Sequence, residues 1–314
     1  MTGDTLFFVG DYLNFGFPNH PLTSERFHRT VRLLQQRRIL DRPTVHVVEP
    51  EPVDMEVLRL FHTEDHVELV KRKSEEGRGY LDYGDTPAYP EVYEHAMLYV
   101  GATVQAVHEV VEGHFDHGLQ LVGGLHHATR SSSAGFCVFN DVGVAISYLL
   151  ERMGIEGVLY FDIDAHHGDG VFYEFYDDPR VRIVDIHQDG RTLYPGRGFD
   201  WETGSGKARG TKMNIPLPPG SGDRELLRAV QAGIEFGEKA PVEMILVQAG
   251  TDGIRGDPIT ALSYSIEGHL KAVESFHKLS ERCCDGKLVV FGGGGYNVES
   301  TSQAWANILD LLSA

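Results

Sequence analysis

Gly157-Val158-Leu159-Tyr160-Phe161-Asp162-Ile163-Asp164-Ala165-His166-His167-Gly168-Asp169 is the stretch on which the reading of this chain turns. It opens as a short, unbroken apolar run and ends in acids and imidazoles. A continuous run of this kind suits a strand buried on both faces, as in a parallel sheet. The same grammar recurs at 45–48 (VHVV), 119–122 (LQLV), 182–187 (RIVDIH), 243–248 (EMILVQ) and 287–291 (KLVVF). Between these runs lie helix-period segments at 23–39, 90–112, 139–153, 222–238, 263–282 and 299–312. Asn140 or Asp141 is placed to cap the third of these, and Pro90 to occupy the first turn of the second. Alternating strand and helix implies an α/β fold, a mainly parallel sheet with helices on both faces, in a single domain over residues 1–314. The Gly- and Pro-bearing stretch 191–222 reads as a long surface loop.

In open α/β sheets ligands bind beyond the carboxyl ends of the strands, and four polar clusters sit there. Gly123-Gly124-Leu125-His126-His127 follows LQLV, and Asp162 to Asp169 ends GVLYF. Gly250-Thr251-Asp252 follows EMILVQ, and Gly292 to Gly295, then Tyr296, follow KLVVF. Asp162, Asp164 and His166 are spaced i, i+2, i+4, which on an extended strand puts them on one face. Buried acids facing one way repel unless a cation lies between them. With His166 added, the donor set suits a divalent metal such as Zn²⁺, Asp252 is the third ligand, and Fe²⁺ or Co²⁺ stays open. Three protein ligands leave room for water and substrate.

His126 and His127 beside such an ion make a general base and a general acid, with Asp162 and Asp169 left over to fix their tautomers. The glycines before Tyr296, Gly294 among them, let the backbone pass close to a ligand and turn Tyr296 inward. A phenol is protonated at neutral pH and can donate to a developing oxyanion. A dinucleotide loop is excluded there, because only 18 residues follow Tyr296. Phe136 and Tyr194 read as core aromatics on their own, and in this context as walls of a narrow tunnel.

Composition bounds the partners. The 314 residues carry a formal charge of −18, which argues against a surface that grips nucleic-acid phosphates and suits cationic substrates. Three cysteines, Cys137, Cys283 and Cys284, form no disulfide framework. No signal peptide or membrane-length apolar run is seen, so the cytoplasm is the expected compartment.

The motifs GGLHHA, SAGFCVFND, YFDIDAHHGDG, IHQDGRTLYPG, AGTDGIRGDP and FGGGGYN, in this order, resemble the zinc-dependent histone deacetylase family. That family includes acetoin-utilisation-type and acetylpolyamine deacetylases. The resemblance runs from about Phe15 to the C-terminus, and the opening YLNFGFPNHPLTSERF is closest to the acetoin-utilisation branch. It implies the arginase/deacetylase fold with an eight-stranded sheet. It also implies hydrolysis of an acyl-lysine in a peptide or protein, or of an acylated small amine, at Asp164, His166 and Asp252.

Residue by residue, His126 and His127 match the tandem histidines, with Asp162 and Asp169 as partners, and Tyr296 matches the carbonyl-polarising tyrosine. The water's proton goes to His126 or to the His126/His127 pair, and His127 protonates the leaving amine. Phe136 and Tyr194 match tunnel walls, Gly135 a backbone carbonyl that meets the substrate amide, Asp85 a rim aspartate, and Arg26 an arginine near the acetate exit. Two positions depart. Asp185 replaces a serine beside a structural potassium, which puts K⁺ in question. Ile259 stands where a polyamine-selective member carries glutamate, which favours acyl-lysine over acetylpolyamine. An arginase-type ureohydrolase shares the Asp164-Ala165-His166 pattern, but needs two metals and gives His126 and His127 no role.

Overall fold

In a computed structural model, residues 3–314 are described. Eight strands form one sheet: β1 (Thr5–Phe8), β2 (Val45–Val48), β3 (His117–Gln120), β4 (Val158–Asp162), β5 (Val181–Gln188), β6 (Lys212–Leu217), β7 (Met244–Gln248) and β8 (Leu288–Phe291). The helices are α1 (Glu25–Gln36), α2 (Met55–Leu58), α3 (Glu64–Glu76), α4 (Val92–Val111), α5 (Asp141–Glu151), α6 (Asp169–Glu174), α7 (Asp223–Gly237), α8 (Ile266–Cys283) and α9 (Val298–Leu312). All strand pairs are parallel, in the order β2-β1-β3-β8-β7-β4-β5-β6. Helices α1, α9, α8 and α7 pack in one row, and α2 to α6 in another. The row α1–α9–α8–α7 reaches the sheet through α8 on β7 and α7 on β5 and β6, and the other row through α4 on β3 and β8.

This order explains where a site can form. The chain runs outward from β1 to β2, crosses to β3, and leaves two places open before β4. It then runs outward to β6, and β7 and β8 return to fill the gap. Four adjacent central strands, β3, β8, β7 and β4, therefore end side by side, and the four polar clusters follow those ends. These strands are buried along their whole length, which is why they read as continuous apolar runs.

The structure differs from the sequence reading in places. Strands β1 and β6 were not expected, and β6 lies inside the stretch read as a surface loop. Its Pro216 is tolerated because β6 is the edge of the sheet. The helices α3 and α6 were also not expected. Pro90 lies before the cap of α4, Glu91, rather than in its first turn. Asn140 is the cap of α5, its Oδ1 accepting from Gly143 N at 2.8 Å. Asp141 has a different task, described below. Strand β4 ends at Asp162, so Asp164 and His166 lie in the following turn and not on the strand face that their spacing suggested.

Candidate active site

The turn after β4 separates the three residues of the i, i+2, i+4 series. Asp162 turns toward the end of β3, where its Oδ2 lies 2.7 Å from His126 Nδ1 and accepts the Tyr160 hydroxyl at 2.6 Å. Asp164 and His166 turn toward β7. His166 Nδ1 lies 3.1 Å from Asp164 Oδ1 and 2.8 Å from Asp252 Oδ2. Donor atoms of Asp164, His166 and Asp252 all fall within 4.8 Å of one another, and all three residues are buried.

The outer oxygens of the two acids are already held. Asp164 Oδ2 accepts from Gln248 Nε2 at 2.7 Å and from Gly294 N at 2.8 Å, and Asp252 Oδ1 accepts from Ala165 N at 2.7 Å. The remaining oxygens and His166 Nδ1 converge. Burial opposes charge on both acids. The imidazoles of His126 and His166 nevertheless hold Asp164 well below the usual carboxylate range. Burial and the Asp164 charge push Asp252 up to about 7. Two anions forced apart in this way, with a nitrogen between them, form a donor set that fits a divalent cation. Gly294 is required here, since a Cβ would stand 2.6 Å from Asp252 Oδ2 and 2.7 Å from Asp164 Oδ2.

The end of β3 brings the tandem histidines against this group. Asp141 Oδ1 accepts from Leu125 N at 2.8 Å and its Oδ2 from Gly124 N at 3.0 Å, fixing the turn that presents His126. His127 Nδ1 lies 2.7 Å from Asp169 Oδ1, and the two Nε2 atoms are 3.2 Å apart. Both Nδ1 atoms face carboxylates and so carry protons. Those partners leave both Nε2 atoms turned toward each other and toward the cavity. Burial would lower His126, but Asp162 and Asp164 outweigh it and push it up to about 10. Burial, with the neighbouring His126, lowers His127 to about 4. Each Asp–His pair fixes one ring nitrogen and leaves the other available.

Tyr296 lines the same small cavity as His127, Asp164, His166 and Gly135. Burial, then the Asp252 and Asp164 charges, raise its phenol well above the ordinary value, so it is a donor. Phe136 packs edge-on to Tyr296 at 5.8 Å, and Tyr194 to His127 at 5.1 Å. Gly135 and Phe136 have φ of 53° and 70°. For Phe136 this left-handed backbone costs roughly 1–2 kcal/mol, so its neighbours must hold it. A Cβ on Gly135 would meet His127 Cδ2 at 2.5 Å. Arg26 is fully buried, and its Nη1 donates to Gly293 O at 3.1 Å and Gly295 O at 3.0 Å, behind Tyr296. Asp85 is exposed on a loop beside a cavity of about 380 Å³ that Gly135 and Tyr194 also line. Ile259 does not line the small cavity. It follows Asp257, whose Oδ1 accepts from Ile259 N at 2.9 Å and Oδ2 from Tyr296 N at 2.8 Å.

Asp185 is engaged by side chains. Its Oδ2 lies 2.8 Å from His167 Nδ1 and accepts from Gly168 N at 2.9 Å, and its Oδ1 lies 2.6 Å from His187 Nδ1. His187 Nε2 donates to Gly198 O at 2.8 Å. Both nitrogens of His187 therefore face acceptors. Burial disfavours its charge, but Asp185 overcomes this and raises it.

Sequence reasoning missed Gln248, Asp141 and Asp257, which position the others. The signal was available, since each is a polar residue at the end of a buried strand, at the start of a buried helix or within a quoted motif.

Residues 20–312 match the histone deacetylase domain. The acetoin utilization protein AcuC of Bacillus subtilis is 39% identical over 298 residues, which cover 92% of this chain and 76% of the relative. A probable deacetylase of Archaeoglobus fulgidus is 34% identical over 285 residues, 90% of this chain and 78% of the relative. The crystal structure of an HDAC homolog from Aquifex aeolicus superposes with a TM-score of 0.84 at 32% identity, covering 98% of this chain and 83% of that one. A crystal structure of an HDAC homolog complexed with SAHA gives the same values.

Proposed function

Since the chain belongs to the histone deacetylase family and is a hydrolytic deacetylase, we propose that it removes the acetyl group from the side chain of acetyl-lysine in a peptide or protein. The observation that carries this reading is the convergence of Asp164, His166 and Asp252 within 4.8 Å, beside the His126/His127 pair and Tyr296.

Asp164, His166 and Asp252 would hold the divalent ion, Zn²⁺ by donor type with Fe²⁺ or Co²⁺ as competitors. Bound there, it would supply Lewis-acid polarisation of the acyl carbonyl and activation of a water. His127 takes the water's proton at Nε2. It is favoured over His126 for this step because it is the neutral member of the pair and lies against the tunnel wall at Tyr194. His127 then returns the proton to the leaving amine nitrogen. Asp169 holds its tautomer, and Asp162 holds that of His126. Tyr296 donates its hydroxyl to the developing oxyanion. Phe136 and Tyr194 flank the substrate's methylene chain, the Gly135 carbonyl accepts from the substrate amide, and Asp85 meets the peptide at the rim. Gly294 keeps the floor of the site clear, and Arg26 lines the way out for acetate.

The cavity at the centre is small, about 20 Å³, and is lined by His126, His127, Gly135, Asp164, His166 and Tyr296. No role is assigned to potassium at Asp185, whose Oδ1 faces the His187 imidazole and whose Oδ2 accepts from Gly168 N.

The test is release of acetate from an acetyl-lysine peptide, compared with a butyryl-lysine peptide and an acetylated polyamine, before and after chelation. Acetyl-lysine should be preferred, activity should vanish on chelation, and elemental analysis should find one metal per chain, lost in Asp252→Ala. Preference for the polyamine would transfer the activity to small amines. Two metals per chain would favour a ureohydrolase. Unchanged metal content in Asp252→Ala would remove that residue from the ligand set.

A further inference from the structure

The loop that carries Asp85 is closed on itself. Leu81 N donates to Thr86 O at 2.8 Å, and Ala88 N to Gly79 O at 2.9 Å. Inside it, one carboxylate gathers most of the backbone. Asp82 Oδ1 accepts from Gly84 N, Asp85 N and Thr86 N at 2.9, 3.0 and 2.9 Å. Asp82 Oδ2 accepts the Thr86 hydroxyl. With its proton committed to Asp82, Thr86 Oγ1 turns a lone pair to Phe136 N, which donates to it at 3.1 Å. Phe136 is the residue whose left-handed backbone needs support.

His20 closes the unit from the other side. Its Nε2 donates to Asp85 O at 3.2 Å, its Nδ1 accepts from Leu22 N at 3.1 Å, and its ring lies edge-on to Phe136 at 4.3 Å. Both nitrogens of His20 are thus assigned, in the neutral form. Rim loop, tunnel wall and the segment around His20 form one connected unit, with the Asp82 carboxylate at its hub.

We propose that Asp82 is a positioning residue for substrate binding: it shapes the turn that presents Asp85 at the rim and, through Thr86, holds the Phe136 wall of the tunnel. This rests on the deacetylase reading above, in which Asp85 meets the peptide beside the acetyl-lysine. An ordinary turn could be held by one Asx hydrogen bond; here three amides and a hydroxyl converge on one side chain, and the chain of contacts ends on a tunnel wall. The division of charge agrees. Burial would raise Asp82, but hydrogen bonds from Asp85, Thr86 and the backbone bring it down to about 2. Burial and the adjacent Asp82 raise Asp85 to about 7. The charge that organises the loop therefore belongs to Asp82, and Asp85 is left to respond to what binds.

The experiment measures kcat and KM for an acetyl-lysine tripeptide and for N-butylacetamide, which has the same amide and methylene chain without a peptide backbone. In Asp82→Ala the tripeptide KM should rise about tenfold with kcat within about threefold, as expected for loss of charged hydrogen bonds that only position the substrate. The KM for N-butylacetamide should rise by no more than about threefold. Asp82→Asn keeps an oxygen for the three amides and should restore most of the tripeptide KM. Thr86→Val removes the link to Phe136 together with the hydroxyl on Asp82, leaves the three backbone amides on Asp82 in place, and should raise both KM values by a similar, smaller factor. Thermal stability of each variant is read in parallel. An unchanged tripeptide KM in Asp82→Ala overturns the assignment, as does equal weakening of both substrates with a fall in Tm, which would be a plain folding role. A wild-type protein inert toward both amides overturns the deacetylase reading itself, and the Asp82 assignment with it.

Discussion

Strand β3 has a pair of histidines in contact at each of its ends, and the two pairs behave in opposite ways. At its start, His117 Nε2 lies 3.0 Å from His277 Nε2 on α8. Beyond its end, His126 Nε2 lies 3.2 Å from His127 Nε2. The geometry is nearly the same, and three of the four rings are buried outright while His277 borders on it. The difference is at the far side of each ring. His126 and His127 each face a carboxylate at 2.7 Å, whereas His117 Nδ1 has no hydrogen-bond partner among the described residues. Burial and the His277 ring lower His117 to about 4, and burial lowers His277 as well. Asp162 drives His126 to about 10. A contact between two imidazoles is therefore structural or reactive according to whether carboxylates hold the far ring nitrogens, as Asp162 and Asp169 do for His126 and His127.

The comparison can be broken most forcefully at His127. His127→Ala should lower kcat by about 10²–10⁴, the usual share of a general acid–base group, while His277→Gln leaves kcat/KM within about twofold. Comparable losses in both would mean that the two pairs differ less than their partners suggest. Tyr296→Phe comes next, with an expected fall of about 10²–10³ in kcat and an unchanged Tm. Turnover equal to wild type would take the phenol out of the reaction. Asp162→Asn should cost less than either. It makes His126 resemble His117, so its pKa, followed by NMR, should fall from above neutrality toward the acid range. A His126 that stays cationic in that variant would show that Asp164 alone suffices.

The smallest effect is on stability. His117 titrates near 6.5 when unfolded and near 4 when folded. The unfolded chain binds more protons in that window, so the neutral pair contributes stability above pH 6.5 that is lost as pH falls toward 4. The loss attributable to His117 should be on the order of 2–3 kcal/mol, and a His117→Gln variant should show a flatter Tm between pH 6.5 and 4. An identical slope in both proteins would assign the acid sensitivity to the other buried histidines, such as His269 and His62.

Legibility followed periodicity. Strands β4, β5, β7 and β8 were readable because burial on both faces leaves an unbroken apolar run. Strand β6 (KMNIPL) was not, because an edge strand can carry lysine, asparagine and proline. Helix α3 was hidden by its charge, since only Val67, Val70 and a few neighbours reach the core. Within the site, residues that touch the centre stood out as acids and histidines in improbable places. Residues that hold them did not. Gln248 looks like one more strand residue until its amide is seen on Asp164 Oδ2. Asp82 looks like a turn former until Thr86 is seen on Phe136.

The sequence by itself determined the α/β class, the four polar clusters and which side chains could bind a metal, carry a proton or polarise a carbonyl, because those properties are local to residue type and spacing. Only the tertiary structure decided that Gln248 and Gly294 anchor Asp164, that Asp82 ties Thr86 to Phe136, and that Asp185 faces His187. Partnership between buried groups depends on which strand ends the sheet makes neighbours, and order β3-β8-β7-β4 sets His117 beside Leu288 and Asp162 beside Gln248.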